Sequence, residues 1–159
     1  MPEAPPQDPA VCRGPGVPRG RGRFRGHFVK VVLDTNVLLA AFATRGLCEA
    51  AFAACLASHE IVLSECVLGE LHRHLRGKFK TPPRQVDAIL SFLRENATVV
   101  TPTKVRPSAC RDRSDLAVLG TALAAGADCL VTGDHDLLTL KTFRGIPILS
   151  PRAFHDRLR

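Results

Sequence analysis

Acidic side chains follow two strand-like segments of this 159-residue sequence. Asp34 comes directly after the mainly aliphatic run Val29–Leu33, and Asp134 and Asp136 follow the run Cys129–Thr132. Neighbouring parallel strands lie only about 5 Å apart. The functional sites of parallel sheets lie at the carboxyl ends of the strands. These acids are therefore predicted to meet in one crevice.

Further acids lie on two predicted helices. Glu70 falls at the edge of the apolar stripe of a helix expected over residues 64–78, at about 100° per residue. Asp112 and Asp115 bracket the start of a helix expected over residues 114–125. A carboxylate at either place can reach the rim of the sheet.

Several carboxylates in one crevice repel one another and raise each other's pKa. A hard divalent cation such as Mg²⁺ relieves this repulsion. It can also position a water and stabilise the leaving oxygen of a phosphodiester. Taken singly, each acid is explained better as a helix cap, a turn former or a solvated side chain than as a metal ligand. The prediction of a metal site therefore depends on the acids occurring together at one edge of the sheet.

Strand-like and helical segments alternate from residue 28 onward, which predicts an α/β fold. We expect a three-layer α/β/α sandwich with a central, mostly parallel sheet of four to five strands. Serine residues are predicted to cap three of its helices at Ser64, Ser114 and Ser150, and Gly126 to end the middle one. The strands are expected at residues 29–33, 60–63, 97–101, 129–132 and 146–149.

The first 27 residues are rich in Pro, Gly and Arg and contain almost no aliphatic residues. They cannot bury enough surface to offset the entropy of ordering. We expect residues 1–27 to form a disordered basic tail and residues 28–159 to form the folded domain. Its Arg/Gly run at residues 19–26 resembles RNA-binding segments, with a merely solvated tail as the alternative.

The net charge of +7 favours a polyanionic partner. The apolar runs are too short to span a membrane, and no signal-peptide core is evident, so we expect a cytoplasmic protein without membrane contact. The six cysteines lack Cys-x-x-Cys spacing. They are expected to be buried reduced thiols rather than a zinc or redox site.

Four ordered motifs resemble those of the PIN-domain family, and within it the VapC-like toxins of bacterial toxin–antitoxin modules. Val-Val-Leu-Asp-Thr-Asn-Val-Leu at residues 31–38 is similar to the first motif, and Ser-Glu-Cys-Val-Leu-Gly-Glu-Leu at 64–71 to the second. Asp-Arg-Ser-Asp at 112–115 is similar to the third, and Thr-Gly-Asp-His-Asp-Leu-Leu at 132–138 to the fourth. The resemblance covers residues 29–155.

This resemblance implies an endoribonuclease that depends on Mg²⁺ or Mn²⁺, forms a homodimer and is blocked by a cognate antitoxin. Asp112 and Asp136 would be auxiliary metal ligands. Two features depart from the family pattern, namely the Arg/Gly-rich extension and Arg113, where proline is common. Neither departure replaces one of the acidic residues that would bind the metal. The implied catalytic and metal-binding residues are Asp34, Glu70, Asp115 and Asp134.

Two other functions fit the same residues. A Mg²⁺-dependent phosphohydrolase or receiver-like domain would use Asp34 as nucleophile or phosphoacceptor. Asn36 stands where one class of such phosphatases has a second Asp. A non-catalytic RNA-binding module is the other alternative, and the basic tail supports it.

Several polar residues near the acids have two explanations each. Asn36 and Thr132 either orient metal-bound carboxylates or cap local turns. His135 either contacts substrate or is a solvated neighbour of the site. Four cations after Glu70 either hold phosphate groups or form a solvated face; they are Arg73, Arg76, Lys78 and Lys80.

Overall fold

Helices flank a six-stranded sheet in the computed structural model, which describes Phe24 and residues 26–159. The strands are β1 (Lys30–Leu33), β2 (Glu60–Ser64), β3 (Ala97–Val100), β4 (Cys129–Val131), β5 (Thr142–Phe143) and β6 (Ile146–Leu149). The helices are α1 (Thr35–Ala43), α2 (Leu47–Ser58), α3 (Glu65–Gly77), α4 (Pro83–Asn96), α5 (Arg113–Ala125), α6 (His135–Leu140) and α7 (Pro151–Leu158). A short 3₁₀ helix covers Pro107–Ala109.

The strand order in the sheet is β3-β2-β1-β4-β6-β5. All neighbours pair in parallel except β5 and β6, which form an antiparallel hairpin. From β1 the chain first builds the sheet outward on one side, through β2 and β3, and then on the other side from β4. Ligand-binding crevices of open α/β sheets lie where the direction changes in this way, which here is between β1 and β4. The predicted α/β class with a mostly parallel sheet is confirmed. The predicted number of four to five strands is wrong, because the sheet has six. The strand that the sequence did not predict is β5, which has only two residues and therefore shows no hydrophobic pattern.

The burial of the β1 side chains shows that both faces of the sheet are covered. Val31, Val32 and Leu33 are each fully buried. Because successive side chains of a strand point to opposite faces, neither face at β1 is open to solvent. The covering helices turn apolar stripes inward; that of α3 consists of Val67, Leu68, Leu71 and Leu75.

Side-chain caps determine where several helices begin. The hydroxyls of Ser64 and Ser150 accept hydrogen bonds from backbone N–H groups three residues later, as predicted for α3 and α7. The predicted cap at Ser114 is wrong, because Asp112, two residues earlier, caps the helix, which begins at Arg113. Gly126 ends α5 as predicted, with a left-handed φ of 58° that glycine adopts without strain.

Phe24 lies in the hydrophobic core, although it falls in the stretch expected to be disordered. Its ring is 1% exposed and lies 6.2 Å from the ring of Phe154. Its N–H donates to the carbonyl of Arg157 at 2.7 Å. Residues 1–23 and Arg25 lie outside the described residues, so the basic tail stays a prediction.

The described cysteines are all free. Cys55 and Cys129 are buried, as expected, and burial raises the pKa of the Cys55 thiol to about 12. Cys48 and Cys110 are half-buried. Cys66 departs from the expectation, since it is exposed on α3.

Among the described residues, no single helix has both the length and the apolar character needed to cross a membrane. Helices α1 and α2 meet those criteria only as a pair, and the chain bends by 103° between them.

Candidate active site

Asp34 lies where β1 passes into α1, and both of its carboxylate oxygens accept hydrogen bonds. Oδ1 accepts from the N–H of Thr35 at 2.7 Å, which caps α1. Oδ2 accepts from the hydroxyl of Thr132, also at 2.7 Å. The pairing of Leu33 with Val131 places the residues that follow these two strands side by side. The Asp34 carboxylate is thus fixed at the carboxyl edge of the sheet.

Asp134 lies at the same edge, three residues beyond β4. Its Oδ1 accepts from the N–H groups of Asp136 at 2.8 Å and Leu137 at 3.4 Å, so it caps α6. Its own N–H donates to the hydroxyl oxygen of Thr132 at 3.0 Å. Thr132 therefore binds Asp34 through its proton and Asp134 through its oxygen.

Glu70 reaches this edge from α3. Its Oε2 accepts from the hydroxyl of Thr35 at 3.2 Å. Its Oε1 lies 3.6 Å from Nε2 of His74, one helical turn further on. Because the Thr35 N–H also binds Asp34, one residue positions two acids.

Asp115 lies in the first turn of α5 and is only 5% exposed. The thiol of Cys110 donates to its Oδ2 at 3.6 Å. Burial raises the pKa of Asp115 to about 7, and the negative charges of Asp134 and Asp34 contribute to the rise. This carboxyl can exchange a proton near neutral pH.

The four acids lie within electrostatic reach of one another. Burial is the main cause that raises the pKa of Asp34, and the charges of Glu70 and Asp134 raise it too. The hydrogen bonds from Thr132 and Thr35 offset part of this rise. The structure therefore brings Asp34, Glu70, Asp115 and Asp134 together, and their role as catalytic ligands stays a prediction.

A family model described as PIN domain matches residues 30–136, which is more than half of the sequence. The chain belongs to the PIN-domain family of nucleases. The matched range contains all six acids that the sequence singled out. Among curated proteins, none matches the chain significantly.

The fold of this PIN domain is similar to that of three solved structures. VapBC2 from Rickettsia felis, bound to a DNA fragment of its promoter, is 16% identical, with a TM-score of 0.55 over 76% of this chain and 98% of that one. VapBC-1 from nontypeable Haemophilus influenzae is 18% identical, with a TM-score of 0.55 over 77% and 98%. DNA-bound VapBC from Salmonella typhimurium is 19% identical, with a TM-score of 0.53 over 78% and 99%. At 16–19% sequence identity, the similarity shows that the fold is shared.

The two predicted auxiliary acids of the PIN domain differ in their placement. Asp112 is exposed and caps α5, and the hydrogen bonds it accepts from Ser114 lower its pKa. Its charge nevertheless acts on Asp115 and raises the pKa of that acid. Asp136 is exposed in the first turn of α6. Among the described residues, no contact joins its carboxylate to the four-acid cluster.

Thr35, His74 and Cys110 contact the acids and were missed from the sequence. Thr35 lies inside the Asp-Thr-Asn motif, and His74 follows Glu70 by four residues, the spacing that brings helical side chains together. The motif and the four-residue spacing could therefore have been used to predict both contacts. Cys110 carries no local signal, because its contact depends on how the loop before α5 folds back. Asn36, the other expected orienting residue, is exposed.

The chemistry of the cluster fits a hard divalent cation. The raised pKa values of Asp34 and Asp115 mean that their surroundings disfavour the charged carboxylates, and a cation with oxygen ligands would offset this. Within the described part of the chain, no three His, Cys, Asp or Glu side chains form a ready metal site. Glu70 and Asp134 are partly exposed, so both carboxylates are accessible to a cation from solvent.

Proposed function

We propose that this PIN domain is an endoribonuclease that hydrolyses RNA phosphodiester bonds at its four-acid cluster. The observation that carries the proposal is the meeting of the acids at the carboxyl edge of β1 and β4, where Thr132 binds both Asp34 and Asp134. Membership of a nuclease family supports the reaction class. The net charge of +7 supports a polyanionic substrate.

Bound Mg²⁺ or Mn²⁺ would supply a polarised water and stabilise the leaving oxygen. Thr132 and Thr35 hold the Asp34 and Glu70 carboxylates in place, so that they do not need to be ordered when substrate arrives. Before a cation binds, Asp115 can take up a proton near neutral pH. The residues proposed to hold the cation are Asp34, Glu70, Asp115 and Asp134, with Asp112 and Asp136 as auxiliaries.

The geometry favours a ligand role for Asp34 over a nucleophilic one. Both of its oxygens already accept hydrogen bonds, and the residue is only 4% exposed. A nucleophile of a phosphohydrolase must be open to the phosphorus atom of its substrate, whereas a metal ligand needs only one free lone pair, and each hydrogen-bonded carboxylate oxygen keeps one. A non-catalytic RNA-binding module would have no use for buried acids whose charged forms are disfavoured.

An RNA-cleavage assay with Mg²⁺ or Mn²⁺ tests the proposal. We expect Asp34→Asn and Asp134→Asn each to lower the cleavage rate by about 100-fold or more, and EDTA to abolish cleavage. Asp87→Asn, which removes an exposed acid on α4, is the matched control and should cleave as the wild type does. Cleavage that persists in both variants and in EDTA contradicts the proposal.

We also propose that the protein is the homodimeric toxin of a toxin–antitoxin module. The motif resemblance to VapC-like toxins supports this, as does the fold likeness to three VapBC structures. Expression of the chain alone should arrest growth, and co-expression of a small protein from the adjacent reading frame should restore it. Light scattering should give the mass of two chains. Normal growth during expression of an active nuclease contradicts the toxin role.

A further inference from the structure

The segment that follows Glu70 carries positive charge only. Between residues 71 and 86 the chain has five Lys or Arg residues and no Asp or Glu. All five are exposed, and the structure records no ion pair between them and a described acid. An uncompensated run of this kind repels itself and attracts polyanions. We call residues 72–84 the basic tip; its Lys and Arg residues are Arg73, Arg76, Lys78, Lys80 and Arg84.

Helices α3 and α4 form a hairpin whose turn carries the basic tip. The ion pair between Glu65 and Arg94, at 2.9 Å, joins the start of α3 to the end of α4 and closes the base of the hairpin. The turn lies at the opposite end. Glu70 lies between base and turn, about 10 Å of helix before Gly77. A strand bound at the four-acid cluster can therefore continue along α3 to the turn.

Phe79 is exposed at this turn, between Lys78 and Lys80. Its side chain is 45% exposed. The N–H groups of Phe79 and Thr81 donate to carbonyls in the last turn of α3, at 3.1 and 2.8 Å. Lys80 adopts a left-handed conformation with φ of 49°, which is uncommon for a residue with a side chain. The turn is hydrogen-bonded to the helix, so the aromatic ring is presented at a defined place.

A shallow depression lies on the basic tip. Its volume is about 380 Å³, and it is lined by Arg73, His74 and Lys78. His74 also lies 3.6 Å from the Glu70 carboxylate. The depression therefore extends from His74, beside an acid of the cluster, to Lys78, which directly precedes the exposed ring in the chain.

We propose that the basic tip binds single-stranded RNA next to the bond that is cleaved, with phosphates on its Lys and Arg side chains and a base stacked on Phe79. A cationic surface with an exposed aromatic ring is the combination that binds single-stranded nucleic acid with little sequence preference. An acidic peptide would use the charges but not the flat face of the ring, so the observations favour RNA. The inference rests on the proposed nuclease function for the identity of the strand.

RNA binding is measured in an Asp34→Asn background, so that cleavage does not interfere. The probe is a fluorescent uridine oligonucleotide, titrated at several salt concentrations. Phe79→Ala should weaken binding about tenfold with an unchanged salt dependence. The double variant Lys78→Gln/Lys80→Gln should lower the slope of log K against log salt by about 1.4, since each phosphate contact to a single strand contributes about 0.7.

Two matched controls lie outside the basic tip and the four-acid cluster. Phe28→Ala removes a ring that is 65% exposed, and Arg45→Gln/Arg159→Gln removes two exposed cations. Both should bind RNA as the background protein does. Lys80→Gly suits the left-handed backbone better than lysine, so it should retain or raise the melting temperature and still weaken binding.

Unchanged RNA binding in the Phe79→Ala and Lys78→Gln/Lys80→Gln variants overturns the inference. So does a polyglutamate peptide that binds the tip as tightly as RNA, since this outcome assigns the surface to an acidic protein partner. Failure of the proposed function is distinguishable, because the wild type would then bind RNA through the basic tip without cleaving it.

Discussion

The hydroxyl of Thr132 donates a hydrogen bond to Oδ2 of Asp34 at 2.7 Å across 98 residues of sequence. Its oxygen accepts from the N–H of Asp134 at 3.0 Å. Thr132 is fully buried, so water does not replace either bond. One hydroxyl therefore sets the relative position of the acids that follow β1 and β4.

Thr132→Val tests this relationship, because valine has the shape of threonine without the hydroxyl. The substitution leaves a buried carboxylate oxygen without its donor, so we expect the free energy of unfolding to fall by about 1–3 kcal/mol. Loss of a residue that orients a ligand should lower Mg²⁺ affinity or the cleavage rate by about 10–100-fold. Urea unfolding and Mg²⁺-dependent cleavage measure the two effects.

Thr132→Ser keeps the donor and is the matched control. It should recover most of both losses. If the valine variant retained wild-type Mg²⁺ dependence and stability, the hydroxyl would have no positioning role.

The buried carboxyl of Asp115 should make the stability of the metal-free protein depend on pH. Its pKa is about 7 when folded, against 3.8 for the unperturbed group, so the folded state holds the proton more tightly. The free energy of unfolding should therefore fall as pH rises from about 4 to about 7.

Asp115→Asn removes that titration. Compared with the wild type, the variant should gain stability at pH 8 and differ little near pH 4, as measured by urea unfolding in EDTA. Asp87→Asn, at an exposed position of α4, should leave the pH dependence of the wild type intact. If the Asp115→Asn variant had the same pH dependence of unfolding as the wild type, titration of Asp115 would not be the cause of that dependence.

The place of the acids at one edge of the sheet could be predicted, because strands and their ends leave local signals. The run before Asp34 is aliphatic and the run before Asp134 is apolar, and parallel strands end at the same edge. The family motifs added Glu70 and the preference for Asp115. These predictions succeeded because they need only the position of an acid after a strand-like run and the order of motifs along the chain, and both can be read from the sequence.

Some side-chain contacts could not be predicted in the same way, even between residues that are close in the sequence. The thiol of Cys110 meets Asp115 only because the loop before α5 folds back, and no periodicity encodes that path. The cap of α5 was assigned to Ser114 because two polar residues compete for the start of one helix. Asp112 binds both the N–H and the hydroxyl of Ser114, so the longer reach of its carboxylate decides the competition.

Gly120 is a point where the loop before α5 packs directly on the helix. A Cβ atom at this position would collide with the carbonyl oxygen of Thr103, and the Thr103 N–H donates to the Gly120 carbonyl at 3.0 Å. Gly120→Ala should lower the free energy of unfolding by about 1–3 kcal/mol, because neither backbone can give way without losing that bond. Thermal unfolding with the wild type alongside measures the change.

Gly69→Ala is the matched control on α3, where an added Cβ meets nothing within 4 Å. It should raise stability by about 0.5–1 kcal/mol, since alanine is the better helix former. Equal effects of the two substitutions would contradict a role for the close approach at Gly120.

Phe24 belongs to the folded domain, which the composition of the sequence around it does not reveal. Its ring packs on Phe154, and the guanidinium of Arg157 lies 5.4 Å above its centre. Phe24→Ala should lower the free energy of unfolding by about 3–5 kcal/mol, as expected for a buried ring. Phe28→Ala removes a ring that is 65% exposed and should change stability by less than about 0.5 kcal/mol.

A chain that begins at residue 28 should lose at least as much stability as Phe24→Ala, because it also lacks the backbone hydrogen bond from Phe24 to the Arg157 carbonyl. A chain that begins at residue 22 keeps Phe24 and should therefore be more stable than the chain that begins at residue 28. If the shorter chain were as stable as the longer one, the ring would contribute nothing to the core and the folded domain would begin at β1.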